Sequence, residues 1–225
     1  MIEIISKTKD YVIIYKPAGI PSQPDPSKDA DAMTICSEIL RSLGERDSLF
    51  LIHRLDRTVG GLLVFARNKE SAAELSRLVA ERLLKKEYFA VVEGRGEGGI
   101  MRDYLYKDAT LGKAFVTDRK RSGVKEAELE YTTLDTVSDG EREISLVKIT
   151  LKTGRFHQIR AQFASHKMPL IGDKKYGSRD FKAKSPSLFA THLSFCFKGN
   201  EVSVTRLPDL TDYPWSLFGE EIFKQ

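Results

Sequence analysis

The sequence predicts an α+β protein with a largely antiparallel sheet. Three observations predict this class: strand-like runs follow one another along the chain, few segments have helical spacing, and a short turn joins the last two strand-like runs. With 225 residues, 41% of them hydrophobic and 30% charged, the chain can bury the core of an ordinary globular protein. No apolar run approaches the length of a membrane span.

The first half of the chain reads as strand, proline-rich loop, helix, strand and helix. These segments are 10–14, 15–26, 33–43, 62–66 and 69–84. The loop holds Pro17, Pro21, Pro24 and Pro26, which exclude regular structure. The last helix can be capped by Asn68, and its apolar residues recur at helical spacing.

The second half reads as three strands, a helix and a hairpin. The strands are 87–93, 127–135 and 143–151, the helix is 155–166, and the hairpin joins 188–197 to 201–205. In the helix, Phe156, Ile159 and Phe163 are expected on the buried side. A turn at Gly199-Asn200 is expected to close the hairpin.

Neither the glycine-rich segment nor the histidines predict a cofactor or metal site. The glycines of "GRGEGG" (94–99) have dinucleotide-binding spacing, but "IMRDYLYKD" follows where a phosphate-binding helix would have to open, so a turn is expected. The four histidines form no paired ligand spacing, so no metal is expected. Cys36 and Cys196 lie far apart, which suits a reduced, cytoplasmic protein.

The positive charge is concentrated in two segments. Residues 148–184 hold ten Lys or Arg against two Asp, a net charge of +8, whereas the whole chain carries +4. Residues 113–125 hold five basic residues against Asp118. One such run would usually be a solvated face, but two in an otherwise acidic chain favour a polyanionic partner, most simply nucleic acid.

A compact group of charges precedes a strand in "LIHRLDRTVGGLLVFARN" (51–68). A loop that only had to turn could do so with Gly60 and Gly61, so the preceding charges must bind each other, bind a ligand or do chemistry. Taken singly, Asp56 would usually be a turn or capping residue. Arg160 would usually be a surface charge, and Tyr88 a half-buried strand tyrosine.

Together, four ordered blocks resemble the RluA-type RNA pseudouridine synthases. They are "DYVIIYKPAGIPSQP", "HRLDRTVGGLLVFARN", "KKEYFAVVEG" and "TGRFHQIRAQFASHKMPLIGDKKYG". The resemblance runs from about residue 2 to about residue 205. It implies the pseudouridine synthase fold, a mixed and mostly antiparallel sheet in two halves with flanking helices and a central cleft.

The resemblance also implies an isomerase that needs no cofactor and no metal. Such an enzyme breaks the N1–C1′ bond of uridine in RNA, turns the uracil and joins C5 to C1′. By similarity, Asp56 is the carboxylate that attacks C1′ or removes a sugar proton, and either route is compatible with one Asp. Arg160 matches the position that pairs with this carboxylate, and an opposite charge favours its ionised form. Tyr88 matches the active-site tyrosine, whose phenol offers a flat face and a weak acid or base.

The target base must leave its stack before it can react. Arg54 is the best candidate to fill the gap, because a planar cation both stacks and binds phosphate. The expected RNA-binding residues are His53, Arg54, Arg119, Lys120, Arg121 and Arg155. The expected partner is ribosomal or transfer RNA, with no membrane and no obligatory protein partner.

The chain also departs from the family pattern. Val59-Gly60-Gly61 stands where Thr-Ser-Gly is usual, which removes two hydroxyls and adds backbone freedom. Gln162 stands where His is frequent, which is expected to change a supporting hydrogen bond. The K-P-x-G block begins so early that we expect a single catalytic domain over 1–225, without a separate N-terminal RNA-binding domain.

Two other functions stay open at this point. One is an RNA-binding protein on the same scaffold that has lost turnover, although Asp56, Tyr88 and Arg160 are all present. The other is a metal-dependent nuclease that uses Asp56 and Asp173, although no ligand spacing supports it.

Overall fold

The computed structural model describes residues 1–140 and 142–224, which form two compact units. Unit 1 comprises Met1–Lys86 and Ala190–Arg206, and unit 2 comprises Glu87–Phe189 and Leu207–Gln225. The strands are β1 (Glu3–Lys7), β2 (Tyr11–Lys16), β3 (Phe50–Leu51), β4 (Gly60–Ala66), β5 (Lys85–Glu93), β6 (Gly99–Asp108), β7 (Lys113–Thr117), β8 (Val124–Asp139), β9 (Arg142–Leu151), β10 (Leu188–Phe197) and β11 (Asn200–Thr205). The α-helices are α1 (Ala32–Ser42), α2 (Lys69–Ala80) and α3 (Gln158–Ser165).

Unit 1 is a sheet with the order β1-β2-β4-β10, in which β3 also pairs with β4 and β11 with β10. Every residue of β4 is buried, and β2 is nearly so, because both strands lie inside the sheet. Leu75 and Leu78 of α2 join one core with Tyr11, Leu62 and Phe195 from the strands. The sheet therefore holds the two segments that flank β4 in fixed positions.

The helices of unit 1 confirm the sequence interpretation, with a shorter α2. Asn68 caps α2 by accepting a hydrogen bond from the Ser71 N–H at 2.8 Å, as predicted. The helix ends at Ala80 rather than near residue 84. Arg82 adopts a left-handed backbone with φ +61°, which a continuing α-helix excludes.

Unit 2 is an antiparallel sheet with the order β5-β9-β8-β6-β7. The "GRGEGG" segment leads into β6 and not into a helix, as the sequence interpretation required. The basic 113–125 segment forms β7 and the turn that leads into β8. Helix α3 packs against this end of the sheet through Ala161, which shares a core cluster with Leu105, Ala114 and Tyr176.

Several boundaries differ from the sequence predictions. Helix α3 begins at Gln158 rather than at residue 155, because His157 has a left-handed backbone with φ +50°. Phe156 therefore lies outside the helix, whereas Ile159 and Phe163 are buried as predicted. The turn of the last hairpin is Lys198-Gly199, both with positive φ, since Phe197 pairs with Asn200. Strands β1, β3, β6 and β7 were not predicted.

The helices of the described residues are short. None of them is long and apolar enough to cross a membrane.

Candidate active site

Asp56 lies in a turn that leads directly into buried strand β4. The Asp56 carbonyl accepts a hydrogen bond from the Val59 N–H at 3.0 Å, which closes the turn. One residue earlier, Leu55 is fixed from both sides by Ser22, whose hydroxyl donates to the Leu55 carbonyl at 2.8 Å and accepts from its N–H at 3.0 Å. The carboxylate side chain of Asp56 is therefore carried on a backbone with little freedom to move.

The K-P-x-G turn holds the other side of this loop. The Gly19 N–H donates to the Arg57 carbonyl at 2.7 Å, and the Arg57 Nε donates back to the Gly19 carbonyl at 3.0 Å. The Lys16 side chain is completely buried, and its Nζ lies 3.4 Å from the same Arg57 carbonyl. The first two sequence blocks of the resemblance thus fold into one interlocked structure in unit 1.

The charges around Asp56 have different surroundings. The Arg57 guanidinium forms an ion pair with Asp29 and also contacts Ser27. Arg54 is exposed, as a cation that stacks on bases or binds phosphate must be. Of this pair of arginines, Arg54 is therefore the better placed to meet RNA.

His53 is half-buried in unit 1. Its Nε2 accepts a hydrogen bond from the Val64 N–H of β4 at 3.3 Å. Burial, together with the nearby charge of Lys86, lowers the pKa of His53 to about 3. The ring is therefore neutral near pH 7, and its hydrogen bond with Val64 connects the loop to β4. Its expected contact with RNA stays a prediction, and a charged contact does not suit this environment.

Gly61, the glycine that this chain shares with the usual Thr-Ser-Gly pattern, stands where a side chain does not fit. Its φ is +127°, and a Cβ there would lie 2.3 Å from the Ala190 carbonyl oxygen and 2.5 Å from the Ala190 nitrogen. Val59 is buried, as is Gly60 at the start of β4. The departure therefore falls on packed residues, and the mobility expected from the added glycine has no counterpart in this packing.

Tyr88 is a buried residue of β5 in unit 2. Its side chain is 5% exposed, and it pairs with Ile149 of β9 in the antiparallel register. The central part of β5, from Tyr88 to Val92, is buried throughout, so the sheet fixes the backbone that carries the phenol. The sequence interpretation of Tyr88 as a strand residue is confirmed, and its catalytic role stays a prediction.

Arg160 forms a bidentate ion pair with Asp173. The Arg160 Nε lies 2.6 Å from Asp173 Oδ2, and a terminal guanidinium nitrogen lies 2.9 Å from Oδ1. Both side chains are at least 94% buried, and the guanidinium also stands 5.0 Å from the centre of the Tyr176 ring. Such a planar pair fixes the direction of the guanidinium. The pairing of Arg160 with Asp56 stays a prediction.

Asp173 and Tyr176 are structural partners; the sequence interpretation names Asp173 only for the nuclease alternative and gives Tyr176 no role. Both lie in "GDKKYG", the end of the fourth block that resembles the family. The Tyr176 hydroxyl accepts from the Ala114 N–H at 2.8 Å and lies 3.0 Å from the His157 Nδ1. Burial, together with the charge of Arg160, lowers the pKa of His157 to about 3. This network links α3, β7 and the "GDKKYG" segment.

The expected RNA-binding cations of unit 2 are exposed. The Lys120 Nζ stands 4.9 Å from the centre of the Tyr104 ring, and the Arg121 guanidinium stands 4.9 Å from that of Tyr106. Arg119 is exposed beside them, and Arg155 is exposed while its Nε donates to a carbonyl of β8. Cations over aromatic rings form a surface suited to phosphate and to unstacked bases.

The surroundings of Gln162 and Asp173 concern two hypotheses from the sequence, the changed supporting hydrogen bond and the metal-dependent nuclease. Gln162 is buried, and its amide nitrogen donates to Asp103 at 2.7 Å, so it does take a supporting hydrogen bond. Asp173 uses both carboxylate oxygens on Arg160, which does not suit a metal ligand. Within residues 1–140 and 142–224, no group of three His, Cys, Asp or Glu side chains could hold a metal ion.

Comparison with known proteins gives one family. Residues 10–165 match the family model described as RNA pseudouridylate synthase. A protein of Haemophilus influenzae named uncharacterized RNA pseudouridine synthase is 32% identical over 210 residues, which cover 92% of this chain and 88% of that protein. A protein of Vibrio parahaemolyticus named tRNA pseudouridine synthase C is 30% identical and covers 78% of this chain and 74% of its own length.

A further relative is longer than this chain. The Aquifex aeolicus protein named uncharacterized RNA pseudouridine synthase is 34% identical over 82% of this chain, but the match spans only 58% of that protein. Among solved structures, human RNA pseudouridylate synthase domain containing 4 matches with a TM-score of 0.75 and 21% identity, covering 92% of this chain and 89% of the human chain. That likeness shows the shared fold.

Proposed function

Because the chain belongs to the RNA pseudouridylate synthase family, we propose that it isomerises uridine in structured RNA to pseudouridine, with Asp56 as the catalytic carboxylate. The observation that carries this proposal is the construction of the Asp56 turn. Ser22, Lys16 and β4 fix the backbone on both sides of a single carboxylate, within the segment that the family model matches. A reacting group needs this kind of preorganisation.

In the proposed reaction the N1–C1′ bond breaks, the uracil rotates, and C5 bonds to C1′. The Asp56 carboxylate either attacks C1′ or removes a sugar proton, and it must be ionised for both. Tyr88 presents its ring to the detached base, and its hydroxyl assists removal of the C5 proton. Arg160 supplies hydrogen-bond donors whose direction is set by Asp173. No step requires a cofactor or a metal.

We propose that the RNA is held chiefly by its phosphates. Arg54 in unit 1, and Arg119, Lys120, Arg121 and Arg155 in unit 2, are exposed cations. Arg54 occupies the space that the extruded nucleotide leaves, since a planar cation can stack on the neighbouring bases. Structured RNA in the cytoplasm, ribosomal or transfer RNA, is the proposed substrate. The Vibrio relative's name supports transfer RNA as the first to test.

The decisive test is replacement of the Asp56 carboxylate by an amide. Asp56→Asn should abolish isomerisation and leave RNA binding intact, because an amide neither attacks C1′ nor takes up a proton. Tritium release from RNA labelled at uridine C5 measures turnover, and filter binding measures affinity. Asp47→Asn is a suitable control, since Asp47 is a carboxylate of the same unit paired with Arg41. Turnover by Asp56→Asn within about tenfold of the parent, a loss of only about 1.4 kcal/mol in barrier, would exclude the assignment.

The same assay separates the two proposed roles of Tyr88. Tyr88→Phe keeps the ring and removes the hydroxyl, whereas Tyr88→Leu removes both. If the hydroxyl assists deprotonation, Tyr88→Phe should bind RNA normally and turn over about 100-fold more slowly, the usual value of acid–base assistance. A Phe variant as fast as the parent, beside an inactive Leu variant, would leave Tyr88 with a stacking role alone.

The alternative function is RNA binding without turnover. If the parent protein binds labelled RNA but releases no tritium from any cellular RNA fraction, it is an RNA-binding protein on the same scaffold that has lost turnover, and the proposed isomerase activity is wrong. Mapping pseudouridines in cells with and without the gene would then show no missing site.

A further inference from the structure

Lys16 is a buried cation directly behind the Asp56 loop. It is the last residue of β2, and its relative exposure is 0%, although lysine is among the residues least often fully buried. Its Nζ lies within hydrogen-bond distance of three carbonyl oxygens: Ile20 at 2.7 Å, Pro17 at 3.1 Å and Arg57 at 3.4 Å. An ammonium group has three N–H donors, so this arrangement matches the charged form.

The three carbonyls come from the two loops that must stay together. Pro17 belongs to the K-P-x-G turn, Ile20 directly follows that turn, and Arg57 is the residue after Asp56. The loops are already joined by neutral hydrogen bonds, since Gly19 donates to Arg57 and Ser22 bonds Leu55 twice. A charge is therefore not needed merely to join them, and burying one is costly.

We propose that Lys16 is a positioning residue whose buried positive charge keeps the Asp56 carboxylate ionised and its loop in place. This inference rests on the proposed role of Asp56. Carbonyl oxygens are neutral, so they satisfy the N–H groups of Lys16 without cancelling its charge. The remaining field acts on Asp56, the neighbour of the Arg57 whose carbonyl Nζ contacts, and low polarity around the ammonium strengthens it.

The electrostatics of Lys16 agree with this role. Burial lowers the pKa of Lys16 to about 7, and attraction by Asp56 opposes that lowering. The other charged group of the loop, Arg57, directs its guanidinium to Asp29, Ser27 and the Gly19 carbonyl. Coupling between two charges is reciprocal, so an Asp56 that favours the charged Lys16 is itself held ionised by Lys16.

The first test compares a charged and a neutral support of the same loop. Lys16→Met removes the charge at similar length, whereas Ser22→Ala removes the two neutral bonds to Leu55. Single-turnover tritium release is measured against pH, with C5-labelled total RNA from cells that lack the gene. Lys16→Met should move the acidic limb of the rate profile to higher pH by about one unit, which is the lower end of the range of shifts that a nearby opposite charge produces. Ser22→Ala should slow the reaction without moving that limb. Identical profiles for the two variants would overturn the proposal.

The second test does not depend on activity or on a stable Lys16 variant. Asp56→Asn should lower the pKa of Lys16 below that of the parent, as measured by NMR titration of lysine ¹³Cε and ¹⁵Nζ signals. An unchanged Lys16 titration would show that the two charges are uncoupled and would overturn the inference, whatever the variant's activity. If instead Lys16 shifts but Asp56→Asn remains active, the inferred coupling stands and the proposed catalytic role of Asp56 fails.

Discussion

Replacing Asp173 by Asn should destabilise the protein far more than a typical loss of one charge. The change preserves the shape of the side chain, but it removes the carboxylate that receives two charge-assisted hydrogen bonds at 2.6 and 2.9 Å from Arg160. Removing one partner of a buried ion pair costs about 3–5 kcal/mol. The Tyr176 ring still faces the guanidinium, so we expect about 3 kcal/mol. For a chain of this size that loss lowers the midpoint of thermal unfolding by about 6–12 °C.

Circular dichroism on heating measures this midpoint for Asp173→Asn, with Glu130→Gln as the control. Glu130 pairs with Lys152 at 3.3 Å, but both side chains are at least 40% exposed, and such pairs contribute about 1 kcal/mol or less. Both variants exchange a carboxylate for an amide in unit 2. Equal midpoints for the two would show that burial of the Arg160–Asp173 pair does not carry the stability assigned to it.

Two other predictions concern charge and pH. RNA affinity should fall steeply as the salt concentration rises. Replacing Arg119, Lys120 and Arg121 by Ala should reduce the slope of log affinity against log salt concentration by about 2–3. If the affinity of the parent protein does not depend on salt, these residues are not part of the RNA interface. The pKa of His53 is lowered by burial to about 3 in the folded protein, so the free energy of unfolding should fall as pH decreases from the ordinary histidine pKa towards that value. Urea titrations from pH 4 to 7 should show a shallower decrease in His53→Gln, and an equal decrease would contradict the buried, neutral ring.

The sequence predicts the elements whose pattern is local. Asn68 followed by apolar residues at helical spacing identifies α2, and the alternation in residues 127–135 identifies the centre of β8. That "GRGEGG" is not a nucleotide site also follows from the next nine residues alone, which lie in β6. In these cases the chemistry that decides the structure is contained in the segment itself.

Other features depend on residues distant in sequence. The left-handed His157, which delays the start of α3, is held by stacking on Phe156 and by the hydroxyl of Tyr176, 19 residues later. Gly61 is indispensable because the Ala190 backbone passes 2.3 Å from where its Cβ would be. No local pattern in "TVGGLL" contains that information.

Buried cations are the hardest part of the site to predict, because charge normally indicates exposure. Lys16 and Arg160 are both buried, but their oxygen partners differ in kind. Arg160 binds the carboxylate of Asp173, and the two side chains together carry no net charge. A further partner of Arg160 therefore meets guanidinium N–H groups whose direction is already fixed. Lys16 binds three neutral carbonyls, which do not compensate the charge of its protonated form. Sequence similarity alone assigns the ionisation of Asp56 to Arg160. That pairing stays a prediction, and Lys16 is proposed to act beside it, so the acidic limb of the rate profile should move in Lys16→Met although Arg160 is intact.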